Sequence, residues 1–457
     1  MQKYSVIIPT LNEEYFLQDC INSIRKGNPD TEIIIVDGGS TDSTLSIARN
    51  EKVKIVQTVP SRGEQLIEGT KIANGDIYVF LHADTLLPEN WYELLNDYFN
   101  ENVNQVCRFK LNFDIKHWIL DRYKFFSKYD SIFSRFGDMC ICIRKNFYNE
   151  IKGFSSLKIF EDVELLQRIT KIKKIDVLNA DVITSARTFI RFGLIRQQIF
   201  NGIMIFKYLL GFRKFIISNK YYNRKEKKKK SSIIVFVKYP EEGKVKTRLA
   251  ATIGNKNATI LYKKISEQII QSIQQIKKSN KYIFFSDIND EKRILKWLGD
   301  RFFYSVQEGH DLGEKMSNAF RKVFSHNAKK AIIVGSDVPE LSKDIINKAL
   351  QQLDDFDVVV GPSVDGGYYL LGMKNYFPFL FEDIKFSSEN VLSETIKKIQ
   401  AKNLSYVLLE KLRDIDTEND LIEWINETQN LYLKKDVGLF YNLTKGKVEI
   451  KCVHCSQ

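Results

Sequence analysis

Val79-Phe80-Leu81-His82-Ala83-Asp84-Thr85 is an apolar run ending in a carboxylate, and the pattern returns at Ile332-Ile333-Val334-Gly335-Ser336-Asp337-Val338-Pro339. A carboxylate at the C-terminal end of a parallel strand stands where open α/β sheets place ligands. Working outward, Glu32-Ile33-Ile34-Ile35-Val36 reads as a second strand of the first half. Leu17, Ile21 and Ile24 recur at helical spacing before it. The pattern restarts with the strand Ile233-Ile234-Val235-Phe236-Val237. A helix with Ile265, Ile269, Ile273 and Ile276 on one face follows, then the strand Lys281-Tyr282-Ile283-Phe284-Phe285. Apolar strands alternating with helices predict, in each half, a parallel sheet covered on both faces.

A chain of 457 residues is long for one core, so two domains are the default reading. Their boundary falls at the densest basic run, Arg224-Lys225-Glu226-Lys227-Lys228-Lys229-Lys230. The expected division is a first domain at 1–222, a basic linker at 223–232, a second domain at 233–433 and a tail at 434–457. The net charge of +12 raises nucleic acid, anionic lipid and phosphorylated substrates as partners. The basic run lacks interleaved aromatics or glycines for base stacking, so it reads as a solvated linker and no nucleic acid is expected.

The chain opens directly on the strand Tyr4-Ser5-Val6-Ile7-Ile8-Pro9, which predicts no signal peptide. Its best apolar run, 199–212, is interrupted by Asn201 and Lys207 and is too short to span a bilayer. Six scattered cysteines suit a reducing cytoplasm rather than a disulfide framework. Cys452-Val453-His454-Cys455 has CxxC spacing but no second pair to complete a tetrahedral zinc site. Residues 188–217 mix Phe, Ile and Leu with Arg and Lys. Such a segment either lies on a membrane surface, at the inner face of the cell membrane, or packs its apolar face on the first domain; packing is favoured.

Several motifs of the first half carry chemistry. Val36-Asp37-Gly38-Gly39-Ser40-Thr41-Asp42 leads from a strand into a helix, with glycines for a tight turn and side chains able to cap the helix or bond a nucleoside. Ser61-Arg62-Gly63-Glu64-Gln65 supplies a cation and a glycine suited to phosphate. Asp84 offers an oxygen ligand to Mg²⁺ or Mn²⁺. Glu161-Asp162 opens a helix with Val163, Leu166 and Ile169 on its apolar face, and an acidic pair there also suits the helix dipole.

Taken in order, Pro9-Thr10-Leu11-Asn12-Glu13, Val36 to Asp42, His82 to Asp84 and Glu161-Asp162 resemble the family 2 glycosyltransferases of GT-A fold, over roughly residues 1–215. The resemblance implies that Asp37 contacts the nucleotide base, with Pro9, Asn12, Glu13, Gly39, Arg62 and Gly63 around the donor. It further implies that Asp84 binds the metal and that Asp162, beside Glu161, is the catalytic base. The usual Asp-x-Asp has His82 in its first position, and His suits hard Mg²⁺ poorly, so Asp84 carries more of the metal. The Phe-Leu-His-Ala-Asp-Thr form, with Arg62 to Gln65 and Thr184-Ser185-Ala186-Arg187, is similar to a narrower bacterial subgroup. That subgroup is linked to arsenosugar or other natural-product glycosylation (selenodomain-associated transferase 2). Gly137-Asp138 is a weaker candidate for holding the acceptor.

The second half has a basic glycine turn directly after its first strand, with Lys238, Lys244, Lys246 and Arg248 placed to bind phosphate. Gly309 to Met316, Gly335 to Pro339, Gly361 to Tyr369 and Asp414-Ile415-Asp416-Thr417 follow. Asp337 and Asp365 each end an apolar strand and could meet at one metal, with Gly366 and Gly367 beside them. The series resembles the DUF2064 group of GT-A-like proteins (selenodomain-associated transferase 1), over roughly residues 231–425. Its layout is also similar to nucleotidyltransferases acting on sugar phosphates.

The expectation is therefore an α/β chain of two tandem GT-A, Rossmann-like domains. The first would be a divalent-metal-dependent, inverting glycosyltransferase using a nucleotide-sugar donor and a small-molecule or lipid-linked acceptor. The second would be another glycosyltransferase-like domain, a nucleotidyltransferase making the donor, or a non-catalytic nucleotide-binding module.

Overall fold

The computed structural model describes residues 2–101, 103–130, 139–157, 160–210, 229–386, 388–428, 439–442 and 447–450. The chain divides into two compact units, Met1–Lys227 and Lys228–Gln457. Most of the basic run, the terminal Cys452 and Cys455, Gly137-Asp138 and the end of the 188–217 segment lie outside the described residues.

The first unit holds an eight-stranded sheet in the order β3-β2-β1-β4-β7-β6-β8-β5. Its strands are β1 (Tyr4–Thr10), β2 (Glu32–Asp37), β3 (Lys54–Gln57), β4 (Ile77–Phe80), β5 (Thr85–Leu86), β6 (Val106–Phe113), β7 (Ile141–Arg144) and β8 (Asp176–Thr184). β1 pairs in parallel with β2 on one side and β4 on the other. Ile7, Ile34, Val36 and Phe80 are buried, as continuous apolar strands with both faces covered require.

The sheet is mixed rather than wholly parallel, which corrects the expectation. β7 runs antiparallel to both β4 and β6. Strand direction follows from the connection, and side-chain alternation alone does not encode it. Four cysteines of this unit, Cys20, Cys107, Cys140 and Cys142, are free and buried. Cys107 faces Cys142 across the β6–β7 pair, and burial pushes all four thiols up.

The second unit holds a seven-stranded sheet in the order β11-β10-β9-β12-β14-β13-β15. Its strands are β9 (Ser231–Val237), β10 (Ser279–Phe285), β11 (Phe303–Val306), β12 (Ala331–Val334), β13 (Val358–Pro362), β14 (Tyr368–Met373) and β15 (Tyr406–Leu408). Here too the sheet is mixed, since β14 is antiparallel to β12 and β13. The β13–β14 turn passes through Gly366 at φ +89°, where an added Cβ would strike the carbonyl of Glu389. Isoleucines 265, 269 and 273 of the helix Asn255–Gln274 join Ile332 and Val334 in this unit's core. A separate ladder pairs β16 (Leu439–Asn442) with β17 (Lys447–Ile450).

The two sheets share one arrangement: third, second, first and fourth strands in parallel, then an antiparallel strand. The order reverses between β1 and β4 and again between β9 and β12. In open α/β sheets, the crevice outside the strand ends at such a reversal is where ligands bind.

Candidate active sites

In the first unit, the loops following β1 and β4 flank that crevice. Asn12 sits at φ 58°, in the left-handed region that Asn tolerates, and its Oδ1 accepts from the Thr41 amide at 2.8 Å. The Asn12 amide in turn donates to the Ser40 hydroxyl at 2.8 Å, so the first loop is tied to the loop after β2. Asp37 is wholly buried. Its carboxylate accepts the amides of Gly39 and Ser40, both at 2.9 Å, and the hydroxyls of Thr10, at 3.1 Å, and Ser40. Those four bonds use the carboxylate's lone-pair sites, so Asp37 shapes the loop from inside. Buried Gln65 ties the same strand ends by donating to the carbonyls of Thr10 and Val36.

Asp84 lies at the mouth of the crevice, and its carboxylate is 3.0 Å from Arg187. Arg187 also makes a bidentate pair with Glu13, at 2.8 and 2.7 Å, and its guanidinium lies 4.8 Å from the Phe16 ring centre. Burial pushes the Glu13 carboxyl up to about 7, against the opposing pull of Arg187. Two carboxylates thus share one guanidinium.

Glu161 and Asp162 begin the helix Glu161–Thr170 after Phe160, which adopts the left-handed conformation at φ 63°. Asp162 is half-buried and its Oδ1 accepts the Val163 amide at 2.7 Å. Glu161 is buried, with Arg62 Nε 3.8 Å from its carboxylate. Asp162, Glu161, His82, Pro9, Phe154 and Cys140 line one small cleft. Gly63 lies so close to the carbonyls of Ser155 and Leu157 that a side chain would collide with them. The structure therefore gathers Pro9, Asn12, Glu13, Asp37, Gly39, Arg62, Gly63, Asp84, Glu161 and Asp162 at one end of the sheet.

In the second unit, Lys246 bridges the loops after β9 and β12. It caps the helix Thr247–Ile253 from the left-handed conformation, at φ 48°. Its buried ammonium lies 3.0 Å from Asp337 and 2.9 Å from Asp416. These carboxylates overcome the cost of burial and raise the Lys246 ammonium above its usual range. Asp414 is pushed up to about 6, first by burial and then by the charges of Asp365 and Asp337. Arg248, largely exposed, lies 3.7 Å from Asp416, while Lys244 pairs with Glu241 at 3.0 Å. The Lys238 amide donates to Tyr262, whose hydroxyl lies 3.1 Å from that of Ser336. Asp365 accepts the Gly367 amide at 3.0 Å and the Ser363 hydroxyl.

Asp337 and Asp365 thus share a neighbourhood with Asp414 and Asp416. Among the described residues, no three His, Cys, Asp or Glu groups stand in a metal-holding arrangement. Two participants were missed from sequence. Arg187 stands within a motif and Asp416 within an acidic segment, and neither stretch carries a local signal of its partner.

Segments of both units match known protein families. Residues 5–154 match the family described as "Glycosyl transferase family 2". Residues 269–388 match "Uncharacterized protein conserved in bacteria (DUF2064)". The chain is 39% identical over 101 residues to the PGL/p-HBAD biosynthesis glycosyltransferase of Mycobacterium bovis (strain BCG / Pasteur 1173P2), covering 19% of this chain and 37% of that one. It is 34% identical over 96 residues to glucosyl-3-phosphoglycerate synthase of Mycobacterium tuberculosis (strain CDC 1551 / Oshkosh), covering 18% and 29%. The match thus spans 37% and 29% of these curated relatives' own length. A solved structure from Desulfovibrio desulfuricans G20, described as a nucleotide-diphospho-sugar transferase, is 32% identical, covering 44% of this chain and 90% of that one, with a TM-score of 0.43. The chain accordingly joins a family 2 glycosyltransferase domain at 5–154 to a DUF2064 domain at 269–388.

Proposed function

We propose that the first unit transfers a sugar from a nucleotide-sugar donor to an acceptor hydroxyl with inversion at the anomeric carbon. The observation that carries this reading is Asp162, half-buried at a helix start in the same cleft as His82, beside the sheet's strand-order reversal. The Asp162 carboxylate takes the acceptor's proton as its oxygen attacks the anomeric carbon from the face opposite the leaving group. The bond from that carbon to the diphosphate oxygen breaks, and its electron pair leaves with the nucleoside diphosphate. The loop shaped by Asp37 receives the nucleoside, and Arg62 lies on the phosphate side.

The donor set fits a divalent cation. Mg²⁺ or Mn²⁺ needs one or two carboxylates when a substrate's phosphates supply further oxygens. Asp84 and Glu13 both face the Arg187 guanidinium, so the pair offers carboxylate oxygens at the mouth of the crevice. Asp84 would hold the cation, and when bound it neutralises charge developing on the leaving diphosphate.

Asp162→Asn should lower turnover at least about a hundredfold, while nucleotide sugar with Mn²⁺ still raises the melting temperature of the full chain. Unchanged turnover in this variant would remove Asp162 from the mechanism. No thermal shift with any nucleotide or nucleotide sugar in the unsubstituted protein would remove the donor reading itself.

For the second unit we propose a second diphosphate-handling transferase. The buried Lys246 ammonium between the half-exposed carboxylates of Asp337 and Asp416, with Arg248 exposed beside Asp416, favours phosphoryl chemistry, and a nucleotidyltransferase making the activated donor follows as the proposed activity. Pyrophosphate release from nucleoside triphosphate and sugar phosphate, abolished by Asp337→Asn, is the expected result. Its absence, with sugar transfer that survives Asp162→Asn but is lost in Asp337→Asn, would make the second unit a glycosyltransferase.

A further inference from the structure

The helix Leu194–Leu209 has two unlike faces. Its inner face, Phe200, Met204 and Tyr208, packs against Val163 of the helix that carries Asp162. Tyr208 also donates to Gln167 of that helix at 2.9 Å. Its outer face presents Ile195 at 65% exposure, Ile199 at 59%, Ile203 at 48% and Phe206 at 63%, continued by Leu210 just past the helix end. These positions recur at helical spacing and form one stripe. A soluble helix ordinarily turns such a stripe inward, and large exposed apolar patches mark interaction sites.

The charges beside the stripe identify its occupant. From Leu194 to Leu210 the charged residues are Arg196 and Lys207, with no acid among them. Arg196 and Lys207 project next to the stripe by the same helical spacing. The helix Trp118–Ser127, joined to this one by the Asn201–Tyr123 bond at 3.3 Å, exposes Trp118, Phe125 and Phe126 as well. Arg122 lies over Trp118 and Lys128 over Phe125. Aliphatic and aromatic residues flanked by cations suit the boundary between headgroups and acyl chains of an anionic bilayer. No helix among the described residues is long and apolar enough to cross a membrane, so this contact lies on the surface.

We propose that the outer face of Leu194–Leu209 docks the first unit on an anionic membrane surface. Taken with the transfer reading, on which this further step rests, docking makes a lipid-borne hydroxyl the acceptor class. The contact is one helix away from Asp162.

The test is sedimentation of the full chain with vesicles of phosphatidylcholine and phosphatidylglycerol, against phosphatidylcholine alone. Binding is expected only with the anionic lipid and should weaken as salt rises. The pair Ile199→Gln and Phe206→Gln should weaken partitioning at least about tenfold. The pair Arg196→Gln and Lys207→Gln should weaken it about tenfold as well, and more so at low salt. Both variants should keep the parent's circular dichroism melt. No binding to the anionic vesicles overturns the proposal, as does binding unchanged in both variants. A dimer that the Ile199→Gln, Phe206→Gln pair dissolves, without vesicle binding, would assign the stripe to a second copy and also overturn it. Loss of vesicle binding alongside an intact thermal shift with nucleotide sugar would sink docking and leave the transfer reading standing.

Discussion

Arg187 sets the charge balance of the first site. It serves Glu13 through two hydrogen bonds and Asp84 through a third contact, and Glu13 is already raised to about 7 because burial disfavours its charged form. A carboxyl raised above its unfolded value lets stability fall as pH climbs from about 4.5, where the unfolded group ionises, to about 7, where the folded one does. Arg187→Met should cost about 3 kcal/mol, and the loss should be larger at pH 8 than at pH 5. At pH 5, Glu13 can protonate once its cation is gone. Urea denaturation at the two pH values checks this, and an equal loss at both would detach Glu13 from the pair. The pairing joins residues 174 apart in sequence. No periodicity or spacing near either residue could have announced it, whereas Asp84 was legible because an apolar strand leads straight into it.

Elements were more legible than their directions. β4 and β12 can be read from their apolar runs, and the helix Asn255–Gln274 from its row of isoleucines. The reversed strands β7 and β14 could not be read as reversed, since a continuous apolar run looks the same in either sense. β14 depends on the turn through Gly366, where φ is +89° and the Glu389 carbonyl leaves no room for a side chain. Gly366→Ala should destabilise the second unit by at least about 2 kcal/mol. The measurement is a thermal melt, and a shift below one degree would mean the turn adapts freely. The same turn presents Asp365, so pyrophosphate release should fall with stability if the second unit works as proposed.

The whole molecule is two units with their own cores. Ile332 is fully buried in the second core, with no part in the first. Ile332→Ala should therefore lower one unfolding transition by about 2–5 kcal/mol and leave the other in place. Calorimetry reads the two transitions, and a joint shift of both would show that the units unfold as one. The duplication itself was legible, because each half restarts the strand and helix pattern. What separates the two sites chemically was not. The buried ammonium in one and the shared guanidinium in the other arise from loops that meet only in three dimensions.

The four buried thiols give the molecule an internal clock. Cys20, Cys107, Cys140 and Cys142 all lie in the first unit, and the chain's other cysteines are Cys452 and Cys455. With those two changed to Ser, a maleimide can react only when the first unit opens, because the raised thiols are also poor nucleophiles while enclosed. Alkylation rate then counts openings of the first unit alone. Nucleotide sugar should slow it, Ile332→Ala should leave it untouched, and Arg187→Met should quicken it. A protein with no cysteine between 143 and 451 thus reports on one half of itself while the other half stays silent.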